Sequence, residues 1–319
     1  MPTAFITGIT GQDGSFLAEQ LVERGWRVVG LVRRSASRNL WRLHGVLDRV
    51  ELVDGDLMDL GSMVDAIRDC TPDHVYNLAA QSFVATSWRQ PLLTGEVTAL
   101  GAARLFEAVR IGWPSAKIYQ AGSSEMFGTA GPRLQSEDTP FHPRSPYGVS
   151  KVYAHHLAVN YRESHGMFVV AGILFNHESE RRGPEFVTRK IAIGVADIHH
   201  GRRETLSLGN MDVRRDWGFA GDYTKAMTAM LEQDSPEDFV VATGESWSVR
   251  DFATKAFAVA GLEMDRHVVH DPGLIRPADI ECLCGDATRA RERLGWRPTI
   301  KFDQLVERMV EAELNRTTP

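Results

Sequence analysis

Apolar and polar positions in the first half of the chain alternate between two periods. Short runs rich in Val, Ile and Leu predict buried strands at 3–6, 27–32, 50–53, 74–78, 117–120 and 168–175. Between the early strands, apolar residues recur every three or four positions and predict helices at 14–23, 40–46, 61–68 and 92–109. This order indicates a parallel sheet with helices on both faces. The sequence therefore predicts an α/β fold with a Rossmann-type, doubly wound sheet.

The pattern changes in the second half of the chain. After residue 175 it loosens into mixed helices and short strands, and Arg, Asp and Trp gather at 214–217. No Pro/Gly/Ser-rich linker separates the halves. We expect 1–175 to form the main domain. We expect 176–319 to form mainly a smaller, mixed α/β substrate-binding lobe that is interleaved with late elements of the main domain.

Composition narrows the class of protein. The chain has 319 residues, 43% of them apolar and 24% charged, which is typical of a folded globular protein. Lys and Arg total 36 against 42 for Asp and Glu, and this net charge of −6 disfavours a nucleic-acid-binding surface. The three cysteines, Cys70, Cys282 and Cys284, are too few for a disulfide framework and lack metal-ligand spacing. Because the chain has no apolar run of about 18 residues and no cationic leader, we expect a cytoplasmic protein without membrane contact.

A glycine-rich segment joins the first predicted strand to the first predicted helix. It reads Gly8-Ile9-Thr10-Gly11-Gln12-Asp13-Gly14. Glycines allow a tight turn and close approach to a pyrophosphate, whose charge then faces the amides at the helix N-terminus. The segment predicts a dinucleotide site, and a plain tight turn is the alternative. Asp13 is also the type of residue that satisfies first-turn amides.

Later strand ends refine the predicted cofactor. Where an NAD site has Asp or Glu after the second strand, this chain has Arg33-Arg34-Ser35, which fits a 2′-phosphate and favours NADP. A solvated basic loop is the alternative. Two further strand ends lie along the expected path of the cofactor, with the first placed to meet adenine: Asp56-Leu57 and Leu78-Ala79-Ala80-Gln81-Ser82.

The most specific motif is Ser145-Pro146-Tyr147-Gly148-Val149-Ser150-Lys151. Ser145 suits a helix N-cap and Pro146 the first helical position, so Tyr147 and Lys151 fall one turn apart on one helix face. An ammonium there favours tyrosinate. With Ser123 at a preceding strand end, these residues predict a site where tyrosine exchanges a proton with an alcohol during hydride transfer. The alternative is an amphipathic tyrosine beside a solvated lysine.

Glu125 suggests chemistry beyond alcohol oxidation. Oxidising an alcohol acidifies the neighbouring carbon, and a carboxylate can then remove that proton. Glu125 therefore predicts an elimination that follows oxidation. The alternative is a carboxylate that caps the local turn.

With these motifs the chain resembles the extended short-chain dehydrogenase/reductase superfamily and, within it, the GDP-mannose 4,6-dehydratases. Segments of the second half carry the more specific part of the resemblance. They are Asn176-His177-Glu178-Ser179, Phe186-Val187-Thr188-Arg189-Lys190 and Arg214-Arg215-Asp216-Trp217-Gly218.

The resemblance implies a role for each matching residue. Ser123, Glu125 and Tyr147 would be catalytic, with Lys151 tuning the tyrosine. Cofactor contacts would include Tyr147, Lys151, His177 and Arg182 besides the motifs above. Substrate contacts would be Ser82, Ser123, Ser124, Glu125, Tyr147, Asn176, Lys190, Arg215 and Arg276. Ser124 stands where dTDP-glucose dehydratases carry Asp, Phe83 where many relatives have His, and Glu180 where Pro is frequent. The cofactor-contacting Tyr that the resemblance leads us to expect near Leu93 is absent.

The implied reaction is an internal redox elimination. GDP-α-D-mannose would become GDP-4-dehydro-6-deoxy-D-mannose and water through bound NADP, in deoxyhexose nucleotide-sugar synthesis. The resemblance also implies a homotetramer, and a dimer remains an alternative. Two other functions stay open: an NADP-dependent reductase or epimerase of a GDP-linked sugar, and a catalytically silent NADP-binding sensor.

Overall fold

The main sheet organises the chain, whose structure is a computed structural model that describes residues 1–35, 37–129, 134–275 and 278–316. Its strands and those of the smaller sheets are β1 (Thr3–Thr7), β2 (Arg27–Val32), β3 (Val50–Asp54), β4 (His74–Asn77), β5 (Lys117–Ala121), β6 (Val169–Leu174), β7 (Asn176–Glu178), β8 (Leu206–Leu208), β9 (Arg214–Arg215), β10 (Trp217–Phe219), β11 (Phe239–Val241), β12 (Trp247–Ser248), β13 (Val268–His270) and β14 (Cys282–Leu283). Within the described residues, seven parallel strands form the main sheet in the order β11-β6-β5-β4-β1-β2-β3. This topology confirms the doubly wound α/β fold.

Helices cover both faces of this sheet and also build the second lobe. They are α1 (Gln12–Glu23), α2 (Leu60–Cys70), α3 (Val84–Arg89), α4 (Pro91–Thr94), α5 (Gly101–Gly112), α6 (Pro146–His165), α7 (Val187–His199), α8 (Ala220–Leu231), α9 (Val249–Val259), α10 (Thr288–Arg293) and α11 (Phe302–Leu314). Successive strand side chains point to opposite faces, so Phe5 packs in the core with α2, α5 and α6, while Ala4 and Ile6 pack with α1 and α8. Burial on both faces explains the nearly continuous apolar strands.

Two helix predictions need correction. The predicted helix at 40–46 is wrong, because the chain forms single 3₁₀ turns at Trp41–Leu43 and Leu47–Arg49. Leu43 and Val46 are buried and three positions apart, a spacing that 3₁₀ hydrogen bonds place on one side as well as an α-helix does. The predicted helix at 92–109 is interrupted by a π-helical segment at Gly95–Leu100 between α4 and α5.

The chain beyond residue 175 contributes to two bodies. The strand β11 joins the main sheet beside β6, and α8 packs beneath it. A separate apolar core lies between α7, α9 and α11, and the buried ion pair of Arg189 with Glu313 joins α7 to α11. The pairs β7–β10 and β8–β13 and the sheet β12-β9-β14 complete this lobe.

Three further features bear on the expectations. Cys70 and Cys284 are buried, Cys282 is exposed, and all three are free thiols. Among the residues that the structure describes, no group of three His, Cys, Asp or Glu side chains could hold a metal ion. No described helix combines the length and the apolar character of a membrane span.

Candidate active site

The glycine-rich loop builds one end of a cleft at the carboxyl ends of the main-sheet strands. Gly8 has φ of +73°, and a Cβ there would lie 2.8 Å from the Ala79 backbone nitrogen. Helix α1 begins at Gln12, and its N-cap Gly11 offers no side-chain cap. Backbone amides at a helix N-terminus and a surface that only glycine can form suit the pyrophosphate of a dinucleotide.

This cleft has a volume of about 1090 Å³ and brings together most of the predicted site residues. Residues from the two halves of the chain face each other across it. The predicted residues that line it are Gly8, Thr10, Gly11, Gln12, Asp13, Gly14, Arg33, Asp56, Leu57, Leu78, Ala79, Ala80, Ser82, Ser123, Ser124, Glu125, Tyr147, Lys151, Asn176, His177, Arg182, Lys190 and Arg215.

Four predicted residues that the structure describes do not line the cleft. Ile9 is fully buried in the core, and Arg34 and Ser35 are exposed beside Arg33. The Gln81 side chain turns away and donates a hydrogen bond to the Phe83 carbonyl at 3.1 Å. Arg276 lies outside the described residues.

The start of α6 places Tyr147 and Lys151 in the cleft. Ser145 accepts a hydrogen bond from the Gly148 amide at 3.0 Å and Pro146 is the first helical residue, which confirms the predicted cap. Lys151 Nζ donates to the Ala121 carbonyl oxygen at 2.7 Å and lies 5.7 Å from the centroid of the Tyr147 ring. Burial lowers the pKa of Lys151 to about 8. Burial raises the pKa of Tyr147 to about 12, although a hydrogen bond with Ser123 opposes the shift.

A missing side chain lets α6 approach the turn that carries Glu125. A Cβ at Gly148 would lie 2.7 Å from the Glu125 carbonyl oxygen. In that turn, Ser123 Oγ accepts a hydrogen bond from the Glu125 amide at 3.3 Å. The Glu125 carboxylate is near enough to oppose ionisation of Tyr147 and so raise its pKa. The Tyr147 phenol and the Glu125 carboxylate therefore lie together at the end of β5.

Asp13 and His177 form an ion pair across the cleft floor. His177 Nε2 lies 2.9 Å from an Asp13 carboxylate oxygen, and His177 Nδ1 donates to the Phe175 carbonyl at 2.7 Å. Burial disfavours the imidazolium, but the Asp13 carboxylate outweighs burial and raises the pKa of His177. Burial also disfavours the ionised form of Asp13, yet the charge and hydrogen bond of His177 lower the pKa of Asp13 to about 2. The sequence did not predict this pair, because its two residues are 164 positions apart in the chain.

Three of the predicted substrate residues lie on elements of the second lobe. Asn176 starts β7, and Lys190 of α7 donates to the Ser207 carbonyl at 2.8 Å. Arg215 of β9 donates to the Ile280 carbonyl at 2.8 Å and lies 3.3 Å from the Asp279 carboxylate. Sequence reasoning missed several further residues that line this end of the cleft. Polar and aromatic residues among them include Glu178, Phe186, Thr188 and Asp279.

Comparison with known proteins identifies the family. The family model described as GDP-mannose 4,6 dehydratase matches residues 5–309. A curated relative, GDP-mannose 4,6 dehydratase 1 of Arabidopsis thaliana, is 50% identical over 323 residues, which cover 98% of this chain and 89% of the relative. The chain belongs to the GDP-mannose 4,6-dehydratase family.

Solved structures show that the GDP-mannose 4,6-dehydratase fold extends to other sugar-nucleotide enzymes. UDP-glucose 4-epimerase of Thermus thermophilus, solved with NAD, has a TM-score of 0.87 and 26% identity, and the match covers 98% of this chain and 99% of that one. The protein RMD of Pseudomonas aeruginosa, solved with NADPH, has a TM-score of 0.83 and 23% identity, over 99% and 100%. At that identity, the second match shows the shared fold alone.

The Asp13–His177 pair predicts a pH-dependent contribution to stability. The Asp13 contribution is full above its unfolded pKa of 3.8 and is lost as pH falls through about 2. The His177 contribution is full below 6.5 and is lost as pH rises past its raised pKa. Asp13→Asn should therefore lower the free energy of unfolding by about 2 kcal/mol at pH 5.5, and by much less at pH 10.

Urea unfolding at the two pH values checks this prediction. Asp65→Asn, at an exposed position of α2, is the matched control and should change stability little at either pH. An equal loss for Asp13→Asn at pH 5.5 and pH 10 would contradict the ion pair.

Proposed function

We propose that the chain is an NADP-dependent hydro-lyase that converts GDP-α-D-mannose to GDP-4-dehydro-6-deoxy-D-mannose and water, as a step of GDP-deoxyhexose synthesis. Family membership supports the activity and substrate. The convergence of Tyr147 and Glu125 at the end of β5 carries the proposal at the level of the site. Oxidation at one carbon requires the phenol, and elimination beside it requires the carboxylate.

A nicotinamide cofactor fits the first half of the cleft. The solved structures of similar fold include one with NAD and one with NADPH. In this chain, Arg33 lines the cleft at the end of β2, where an NAD site would present Asp or Glu. A guanidinium matches a 2′-phosphate, so NADP is the proposed form. Bound NADP would supply the hydride chemistry, taking a hydride from C4 of the sugar and returning it at C6.

The residues at the end of β5 handle the protons. Tyr147 Oη accepts the proton of the C4 hydroxyl, and Ser123 Oγ orients that hydroxyl. The Lys151 ammonium favours tyrosinate, which matters because burial holds the pKa of Tyr147 near 12. The ketone at C4 acidifies C5, the Glu125 carboxylate removes the C5 proton, and the C6 hydroxyl leaves as water with a proton that balances the one Tyr147 took from the C4 hydroxyl. Glu125 then returns its proton to C5 as hydride is added at C6.

Cationic side chains of the second lobe suit the diphosphate of the substrate. Lys190 and Arg215 line the far end of the cleft, and Arg276 would join them. The contact of Arg215 with Asp279 sets the direction of its guanidinium. On this proposal, 1–175 carries the cofactor and the catalytic residues, and 176–319 mainly holds the sugar nucleotide.

Glu125→Gln tests the elimination step. The variant should lose dehydration of GDP-mannose by at least about 100-fold, because an amide cannot take the C5 proton. NADP should stay bound, since the substitution leaves the glycine loop intact. Mass spectrometry of the nucleotide sugar measures the loss of water, and denaturation of the purified protein releases the nucleotide for identification.

Glu292→Gln, at an exposed position of α10, is the control and should dehydrate GDP-mannose normally. Full dehydration by Glu125→Gln would sink the assignment of the base. Consumption of added NADPH, or a product of unchanged mass from the natural chain, would instead indicate a reductase or an epimerase. Release of NAD in place of NADP would contradict the role of Arg33.

A second, apolar groove supports a homo-oligomer, which we propose to be a tetramer or a dimer. It lies between α4 and the start of α6 and has a volume of about 760 Å³. Leu92 is 85% exposed and Val149 55% exposed in this groove, and Trp88, Leu100 and Tyr153 also expose apolar surface there. Contiguous exposed apolar surface of this kind is typical of protein contacts.

Val149→Glu should place a charge in that contact and shift the assembly towards monomer. Sedimentation velocity of the natural chain and the variant measures the change. A natural chain that sediments as a monomer at micromolar concentration would rule out the homo-oligomer.

A further inference from the structure

Arg182 lies between an aromatic ring and a carboxylate at the wall of the cleft. Its Cζ atom is 3.7 Å from the centroid of the Phe186 ring, and its Nε atom is 3.2 Å from a Glu178 carboxylate oxygen. The ring supports the flat face of the guanidinium and the carboxylate supports one edge. Arg182 lines the cleft, so these two contacts hold its guanidinium at the cleft wall.

Glu178 is itself fixed in place. Its side chain is only 2% exposed, and Thr188 Oγ donates to the same carboxylate oxygen at 2.5 Å. Glu178 belongs to β7, whose register pairs it with Phe219 of β10. A buried carboxylate needs compensating partners, so the contacts with Arg182 and Thr188 account for its presence.

The Phe186 ring is supported from the opposite half of the chain. The Phe83 ring meets it edge to face, with centroids 5.5 Å apart and an interplanar angle of 72°. Phe83 precedes α3, and its carbonyl accepts hydrogen bonds from the Thr86 amide and the Gln81 side chain. The order Phe83, Phe186, Arg182, Glu178 therefore forms a stack that joins the main domain to the second lobe.

The charge of Arg182 reaches the catalytic centre. Burial dominates the raised pKa of Tyr147, and Arg182 is among the groups that lower it. Arg182 also helps to lower the pKa of Asp13 after the larger effects of burial, His177 and Gln12. A shift in the position of this guanidinium would therefore change the proton affinity of Tyr147.

We propose that Glu178, Phe186 and Phe83 are positioning residues that hold the Arg182 guanidinium towards the anionic cofactor and the catalytic tyrosine. The inference rests on the proposed function, because it takes NADP to be the ligand of this cleft. It adds three residues to the site and gives Phe83, which also lines the cleft, a role through Phe186.

The test uses Phe186→Leu, Glu178→Gln and Phe83→Leu in the full chain, with NADPH as the probe and its fluorescence as the signal. Phe186→Leu and Glu178→Gln should each raise the Kd for NADPH about tenfold, the size of effect that a desolvated cation–π or ionic contact has. Phe83→Leu should raise it by a smaller factor, about threefold, because Phe83 acts on Arg182 through the Phe186 ring.

A pH profile separates positioning from general damage. Phe186→Leu changes no charge, so displacement of Arg182 should shift the acidic limb of kcat to higher pH as tyrosinate becomes less favourable. The other charged and titratable groups around Tyr147 and Arg182 are the same in the natural chain and in Phe186→Leu, so they cannot cause a difference between the two profiles. They are Glu125, Lys151, Asp13, His177, Glu178 and Arg42.

Phe16→Leu is the matched control. Phe16 meets Phe219 edge to face at 5.4 Å and lies beneath Arg181, but it does not line the cleft. Phe16→Leu should lower thermal stability, as Phe186→Leu does, but it should leave the Kd for NADPH and the acidic limb of kcat unchanged.

The inference would be overturned if Phe186→Leu kept the Kd for NADPH and the acidic limb of the natural chain. It would also be overturned if Phe16→Leu weakened NADPH binding and shifted the acidic limb as much as Phe186→Leu does. In either case normal binding of NADPH and dehydration by the natural chain would leave the proposed function standing. Failure of the natural chain itself to bind NADPH would overturn both.

Discussion

The buried ammonium of Lys151 is the constraint on which the site depends. A charge removed from water needs a partner, and the Ala121 carbonyl at the end of β5 provides it at 2.7 Å. The bond fixes the first turns of α6 against that strand end. Tyr147, one turn earlier on α6, then faces Ser123 and Glu125, which follow β5 directly. One contact between a helix and a strand thus sets the relative positions of Tyr147 and Glu125.

The second lobe is tied to this centre by polar contacts between residues far apart in the chain. Besides the Asp13–His177 pair, the Gln12 side chain donates to the His177 carbonyl at 3.0 Å and accepts from Ser179 at 2.8 Å. The His177 ring also stacks on Tyr223 with centroids 4.7 Å apart. These contacts hold β7 against the glycine-rich loop, so the surfaces proposed for cofactor and substrate share one wall. A cleft built in this way suits an enzyme that must retain its cofactor between two hydride transfers.

Local patterns explain which features could be predicted from sequence. The apolar strands, the Gly8–Gly14 loop and the Ser145–Pro146 cap each depend on neighbouring residues, and the structure has them where the sequence indicates. The 3₁₀ turns at Trp41–Leu43 and Leu47–Arg49 were not predicted, because apolar residues three positions apart fit 3₁₀ and α-helical turns alike. Gln81 sits in a motif of cleft residues, yet its amide finds a better partner in the Phe83 carbonyl. The contacts of Arg182 with Glu178 and Phe186 could not be predicted from the sequence, because they lie in an irregular segment where apolar periodicity does not indicate which residues meet.

Internal return of the hydride is the central claim, and GDP-mannose deuterated at C4 tests it most directly. The purified chain, with no added reductant, should give GDP-4-dehydro-6-deoxymannose that carries the deuterium at C6. NMR of the product locates the label, and the medium should gain none of it. Product without deuterium at C6, or a reaction that proceeds only with added NADPH, would contradict the account.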